Sequence, residues 1–293
     1  MANRKVLLKR RKTARNICKI TRTMQLIATA RFQAALARTT ATKPYTEKLA
    51  ELVGDLSEAA EGIDHPLMET HDDVKRHALV VISTQRGFCG GYNANVLKVA
   101  TAHENDHRTD GSEVDVHMVG NKGIGFYRFL KRPMVEQIKN ISDSPRFDEV
   151  EPIANQLMDR FCRGEIASAH VAYMRFISTA KQQATVMQLL PLSRETTDDQ
   201  TPPASATKAE YEFSPEPKEL LDELLPATVR ARLFQCFTDA TVSEQIARMV
   251  AMKAATDAAS DMITLLTRQY NRARQTQITM ELLDIVGGAN AIA

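Results

Sequence analysis

Near both ends of the chain, apolar residues recur in alternating steps of three and four. Toward the C-terminus Met249, Met252, Thr256, Ala259, Ile263, Leu266, Tyr270, Ala273, Gln277 and Met280 form one such seam. Near the N-terminus Ile17, Ile20, Met24 and Ile27 do the same, with Leu7 and Leu8 a few turns earlier. This spacing draws one apolar stripe along a helix and is the pattern of paired helices. Thr256 and Gln277 interrupt the C-terminal stripe, while the small Ala259 and Ala273 permit close approach of a partner. No glycine or proline occurs in residues 227–286, a run of 60, or in residues 1–43. At about 1.5 Å per residue these runs predict helices roughly 90 and 60 Å long, against the about three turns usual in a compact domain. Each end is the economical partner for the other, as an antiparallel pair. Pro44 predicts a kink or break, after which Leu49, Leu52, Val53 and Leu56 resume a helix that ends near Gly62, His65 and Pro66. The last helix is expected to begin after Pro226.

Between the ends the pattern becomes short and β-branched. Residues 78–83 predict a strand, followed by a glycine-rich loop at 86–91. Residues 114–119 predict a second strand, leading through Gly120 into a helix over 122–130. A third strand is expected at 135–141, a helix at 150–162, and a closing strand pair at 168–177 and 184–190. Strands alternating with helices imply an α/β domain with a largely parallel sheet. Residues 193–207 are polar, contain proline and read as a mobile loop. The expected fold is α/β: a long antiparallel coiled coil of N- and C-terminal helices with an inserted Rossmann-like α/β domain. Its parts are residues 1–62, 74–213 and 214–293.

Composition limits what such a chain does. A hydrophobic fraction of 43% and a charged fraction of 25% are those of a soluble folded protein. No apolar run approaches the ~18 residues of a membrane-spanning helix, so membrane contact is expected only through other chains. Cys18, Cys89, Cys162 and Cys236 are far apart and form no CxxC pair, which reads as reduced cytosolic thiols. The net charge of +2 conceals an asymmetry: residues 1–46 hold twelve of the 38 Lys and Arg and none of the 36 Asp and Glu. Such a basic terminus suits nucleic acid, an organelle import signal or an acidic protein surface, and charge alone does not choose among them.

Candidate chemistry is sparse. Residues 85–93 read QRGFCGGYN after a predicted strand, but they lack the GxxxxGK[ST] pattern that places a lysine and hydroxyl on phosphates. Gly120, Gly123 and Gly125 are spaced GxxGxG, which is no dinucleotide fingerprint. Both glycine sets read as tight strand-to-helix turns. Among the histidines only His103 and His107 stand at i,i+4, a spacing able to ligate a metal; their polar context, HENDHRTDG, reads instead as a solvated helix end. Cys89 has no nucleophile-elbow context. No catalytic residue, cofactor site or metal site is expected, and the chain is read as non-catalytic.

Five stretches in four regions, in order along the chain, carry a resemblance. They are KITRTMQLIATAR at 19–31, RGFCGGYN at 86–93, YEFSPEPKELLDELL at 211–225, and the C-terminal stretches SEQIARMVAMKAA at 243–255 and YNRARQTQITMELLDIVGGANA at 270–291. Together they resemble the γ subunit of F-type ATP synthases, whose motifs run KITxAMxMVAxxK, RGLCGGxN and ITxExxEIxxGAxA. The resemblance implies a central rotor. The paired terminal helices would thread a ring of three α and three β subunits, and the α/β domain would grip the ε subunit and the c-ring. Rotation driven by protons in the c-ring would then force the three β sites through different conformations. It further implies no nucleic-acid partner, and a peripheral membrane protein on the cytoplasmic face of the bacterial inner membrane. A basic-arm nucleic-acid-binding protein is the alternative.

The resemblance also assigns residues. Met24, Arg248, Gln275, Asp284 and Cys89 correspond to rotor–stator contacts, and Tyr211 and Glu212 to the foot on the c-ring and ε subunit. Asp284 stands where the family has a glutamate and is one methylene shorter. Gln85 replaces a usual Asp, Thr23 a usual Ala, and Arg10, Arg11 and Arg15 make the first helix more basic than is typical. These departures suggest a divergent bacterial member.

Overall fold

The computed structural model describes residues 4–59, 65–71, 73–192 and 217–292. The loop expected at 193–207, Gly62, Tyr211 and Glu212 lie outside them. The elements are α1 (Arg4–Ala59), β1 (Arg76–Ile82), α2 (Tyr92–Thr109), β2 (Glu113–Val119), α3 (Asn121–Phe129), β3 (Glu136–Ile138), α4 (Phe147–Cys162), β4 (Ser168–Phe176), β5 (Gln182–Leu190) and α5 (Pro217–Ile292).

The two long helices appear where glycine and proline are absent, and they also run through the prolines expected to interrupt them. α1 continues across Pro44 as a single helix of 56 residues. α5, of 76 residues, starts at Pro217 and passes through Pro226 instead of beginning after it. Pro217 stands first in its helix, where a missing N–H costs nothing because that donor has no intrahelical partner anyway.

The chain divides into two compact units, residues 1–30 with 248–293, and residues 31–247. In the larger unit the strands lie in the order β3-β2-β1-β4-β5. The pairs β1–β2, β1–β4 and β2–β3 are parallel, and β4–β5 is antiparallel. Alternation along β1 decides the layers. Leu79 and Val81 pack with Val96, Leu97 and Ala100 of α2 and Ile124 and Tyr127 of α3. Ala78, Val80 and Ile82 pack on the other side with Val150, Leu157 and Phe161 of α4 and Leu225, Leu233 and Phe237 of α5. The result is a sheet covered on both faces, as a mostly parallel sheet requires.

Strand order reverses at β1, which is where open α/β sheets bind ligands beyond the carboxyl ends of their strands. Here α5 fills that crevice. Ser83, Gln85 and Tyr92 face Phe237, Ala240 and Thr241 across a cavity of about 30 Å³, room for little more than one water. The nearby glycines have a steric task. Gly120 has φ +89° and a Cβ there would lie 2.3 Å from the Ser83 carbonyl oxygen; one at Gly123 would lie 2.6 Å from Ser83 Oγ. Ser83 Oγ donates to the Val119 carbonyl at 2.6 Å and accepts from the Gly123 N–H at 2.9 Å, drawing α3 onto the end of β1.

Candidate functional site

In the smaller unit, the stripe read on α5 packs against α1, but the one read on α1 does not. Ile17, Ile20 and Ile27 are about half exposed. Leu7, Ala14, Thr21 and Ala28, at intervals of seven, are buried instead because they are the residues that face α5. Leu7, Ala14 and Leu266 are buried together, with Ile263, Tyr270 and Ala273 against them. The Arg11 guanidinium lies 4.9 Å from the centre of the Tyr270 ring, a cation–π contact. Further along, Cys18 approaches the Thr256 carbonyl at 3.9 Å and Thr256 Oγ1 donates to Thr21 Oγ1 at 2.8 Å. Low numbers on α1 meet high numbers on α5, so the helices run antiparallel. Met252, Ala259 and Leu266 are buried at intervals of seven, as a seam demands.

Toward its C-terminal end α5 loses this cover. Ile278, Met280, Leu282, Leu283, Ile285 and Val286 are all exposed, several by more than half. A helix end with so much apolar surface is suited to a partner outside the chain. Gln275 and Asp284 stand exposed on this segment. Met24 is half-buried, and Arg248 is 8% exposed.

In the larger unit the glycine-rich loop is tied from within. Asn93 Nδ2 donates to Thr84 Oγ1 at 2.8 Å and to Cys89 Sγ at 3.2 Å, and the Thr84 N–H donates to Asn93 Oδ1 at 3.1 Å. Cys89 is only 2% exposed, so its side chain supports the loop from beneath. The side chain the loop presents outward is Phe88, 70% exposed at φ +63°. Asp143 holds the same region, pairing with Arg31 of α1 at 2.7 Å and Arg86 of the loop at 3.3 Å. Gln85 accepts from the Asn121 N–H and donates to the Lys139 and Ile141 carbonyls. A carboxylate has no proton for those two carbonyls, so the amide has a structural use here.

A cluster the sequence reading missed lies on the α2 side of the sheet. His103 and His107 are not a solvated helix end: both are half-buried and face His170 of β4 and His77 of β1. Burial holds His103 down to about 4 and His170 down to about 3, with the neighbouring imidazoles adding to the shift. His77 is lowered too, by burial first and His107 second. All three rings are therefore neutral at neutral pH. The i,i+4 spacing was visible in the sequence; the strand histidines sit on the same face as Leu79 and Met174, a parity that points them at α2.

Comparison with known proteins covers the whole chain. Residues 3–292 match the family model described as ATP synthase. The chain is 42% identical over 294 residues to the ATP synthase gamma chain of Rhodopirellula baltica, covering 100% of this chain and 99% of that one. It is 38% identical over 293 residues to the ATP synthase gamma chain of Leptospira biflexa, covering all of both. Its fold is like that of a chain in the cryo-EM structure of the Euglena gracilis mitochondrial ATP synthase, OSCP/F1/c-ring. There the TM-score is 0.68 at 17% identity, over 99% of this chain and 94% of that one. A chain of the Tetrahymena thermophila mitochondrial ATP synthase central stalk/c-ring is also similar, with TM-score 0.57 at 19% identity over 80% of this chain and 99% of that one.

Proposed function

The chain belongs to the ATP synthase gamma chain family, and we propose that it is the central shaft of a bacterial F-type ATP synthase. One copy would turn inside three α and three β subunits, attached through the ε subunit to a proton-driven c-ring. The β subunits carry the catalytic residues, and this chain is non-catalytic. The observation that carries the reading is the antiparallel terminal pair with its uncovered apolar end, in a chain matching the family along its full length.

A shaft must transmit torque and still slide past three successive faces. Torsional stiffness comes from helices uninterrupted by glycine across the paired segment. Sliding favours contacts that exchange readily. The basic stretch at residues 1–46, which holds no acid, suits this, because charge attraction to an acidic surface is long-ranged and tolerant of position. Gln275 and Asp284 are exposed polar groups on the C-terminal segment, and they would make such contacts with the β ring. Met24 and Arg248 would act closer to the helix seam, and the Cys89 loop would meet its neighbour through Phe88. Tyr211 and Glu212 are assigned to the foot by resemblance alone.

No described helix is long and apolar enough to cross a membrane. Attachment to the cytoplasmic face of the inner membrane would run through the c-ring. The basic-arm nucleic-acid reading is not favoured, since it leaves the long C-terminal helix and the family match without a role. The test is co-expression with the host's α and β subunits, followed by native mass and ATPase activity. One copy joining three α and three β, with turnover that requires the chain, is the expected result. A monomer that leaves α and β untouched and binds duplex DNA with strong salt dependence would overturn it.

A further inference from the structure

The histidines on the inner face of α2 have no part in the rotor reading. His103 and His107, one turn apart, meet His170 of β4, and one ring nitrogen from each lies within 4.8 Å of the other two. We propose that His103, His107 and His170 form a binding site for a divalent transition-metal ion of the Zn²⁺ class, with water completing the coordination.

The ligand set fits that class. Two imidazoles at i,i+4 on a helix share one face, and a third from a facing strand closes a triangle. Three histidines with one open position make a tetrahedral set at about 2.0–2.1 Å per bond, which requires the nitrogens to stand about 3.3 Å apart. From the observed spacing the rings need only swing inward about their side-chain torsions. Imidazole donors select Zn²⁺, Cu²⁺ and Ni²⁺ over Mg²⁺ and Ca²⁺, which prefer oxygen.

The surroundings support the rings as a ligating site does. Ser168 Oγ lies 3.2 Å from His170 Nδ1 and 2.7 Å from His77 Nδ1. That bond leaves His170 Nε2 as the free ligand atom, and a hydrogen bond on the second nitrogen is what orients a ligating histidine. His77 stacks on His107 with ring centres 4.1 Å apart, holding the more outlying ligand in place. His103 Nε2 is buried without a hydrogen-bond partner among the described residues, and a metal ion would satisfy it. Burial also keeps His103 and His170 neutral, the form that ligates. A bound ion would clamp α2 to β4, so its effect would be on the larger unit's stability.

The test uses the full-length, untagged chain stripped with chelator and titrated with Zn²⁺ and with Co²⁺. Expected are one equivalent bound, visible absorption bands of nitrogen-ligated Co²⁺, and a thermal midpoint that rises with Zn²⁺. His107→Asn and His170→Asn should each weaken binding at least tenfold, while Cys162→Ser, which removes an exposed thiol, should leave it unchanged. His107→Asn lies near the end of α2, so metal-free folding matched to the parent by circular dichroism keeps the test valid should His170→Asn misfold. Uptake well below one equivalent, uptake that survives His107→Asn, or uptake lost in Cys162→Ser would each overturn the proposal.

Discussion

Thr256 Oγ1 donates to Thr21 Oγ1 at 2.8 Å, joining α1 and α5 at the position where the apolar seam is interrupted. Thr21 in turn donates to the Ile17 carbonyl at 3.0 Å, so the two hydroxyls form a short relay that ends on backbone. A polar residue in a seam usually weakens it and is tolerated when it is paired and fixes register.

A double-mutant cycle with Thr21→Val and Thr256→Val measures that relay. Each single change should cost roughly 0.5–1.5 kcal/mol, with a coupling of about 0.5 kcal/mol or more in denaturant unfolding. Strictly additive losses would mean that the bond contributes nothing to pairing.

The glycines of the β2–α3 turn should separate by geometry. Gly120→Ala combines φ +89° with a backbone oxygen at 2.3 Å and should cost more than about 3 kcal/mol or prevent folding. Gly125→Ala, inside α3, meets nothing within 4 Å and should stabilise by up to about 1 kcal/mol. Equal effects at the two positions, compared by urea unfolding, would contradict the steric account.

Acidification should destabilise the larger unit. His103 and His170 titrate at about 4 and about 3 when folded, well below the ordinary histidine value of 6.5, so below pH 6.5 the unfolded chain takes protons that the native state refuses. Asp239 acts in the opposite direction. Burial pushes it up to about 6 from 3.8, against the bond from Gln235, so the native state takes that proton first and gains stability between pH 6 and 4. Two histidines outweigh one aspartate, and unfolding near pH 5 should take up about one net proton. Asp239→Asn should steepen the acid loss, and His170→Asn should flatten it, in midpoints measured from pH 7 to 5 with chelator present. A pH profile left unchanged by both substitutions would refute this.

Truncation after Ala273 should separate folding from assembly. It removes Ile278 through Val286, which are exposed, and leaves the buried Leu7, Ala14 and Leu266 cluster intact. The stability of the isolated chain should change by no more than about 0.5 kcal/mol. Yield of the complex with α and β should fall, and rotation in the complexes that do form should persist. Undiminished complex yield would show that the uncovered end is not an interface.

Local patterns in the chain specify most of the elements to within a few residues, although they did not delimit α2 (Tyr92–Thr109). The strand at 78–83 appears as Arg76–Ile82, the helix at 150–162 as Phe147–Cys162, and the strand pair as Ser168–Phe176 and Gln182–Leu190. Pro44 and Pro226 misled because a proline removes one backbone bond and adds a local clash, a fixed cost of about 3 kcal/mol. Packing along a long helix outweighs it: Leu49 and Thr39 are buried on either side of Pro44, and Leu225 and Val229 on either side of Pro226.

By itself, then, the sequence determined what depends on near neighbours: helix length from missing glycine, the α5 half of the seam from its 3-4 spacing, strands from β-branched runs, and the family from ordered motifs. Which face of α1 meets that seam, only the structure decided. Tertiary structure decided what depends on distant ones. Cys89 and Phe88 are adjacent, yet only the fold turns one inward and the other out. The pair His103 and His107 reads as solvated in its own segment. Register between β1 and β4, with α2 laid across them, brings His77 and His170 to the same place. Burial is set by what packs opposite, and no local pattern carries that information.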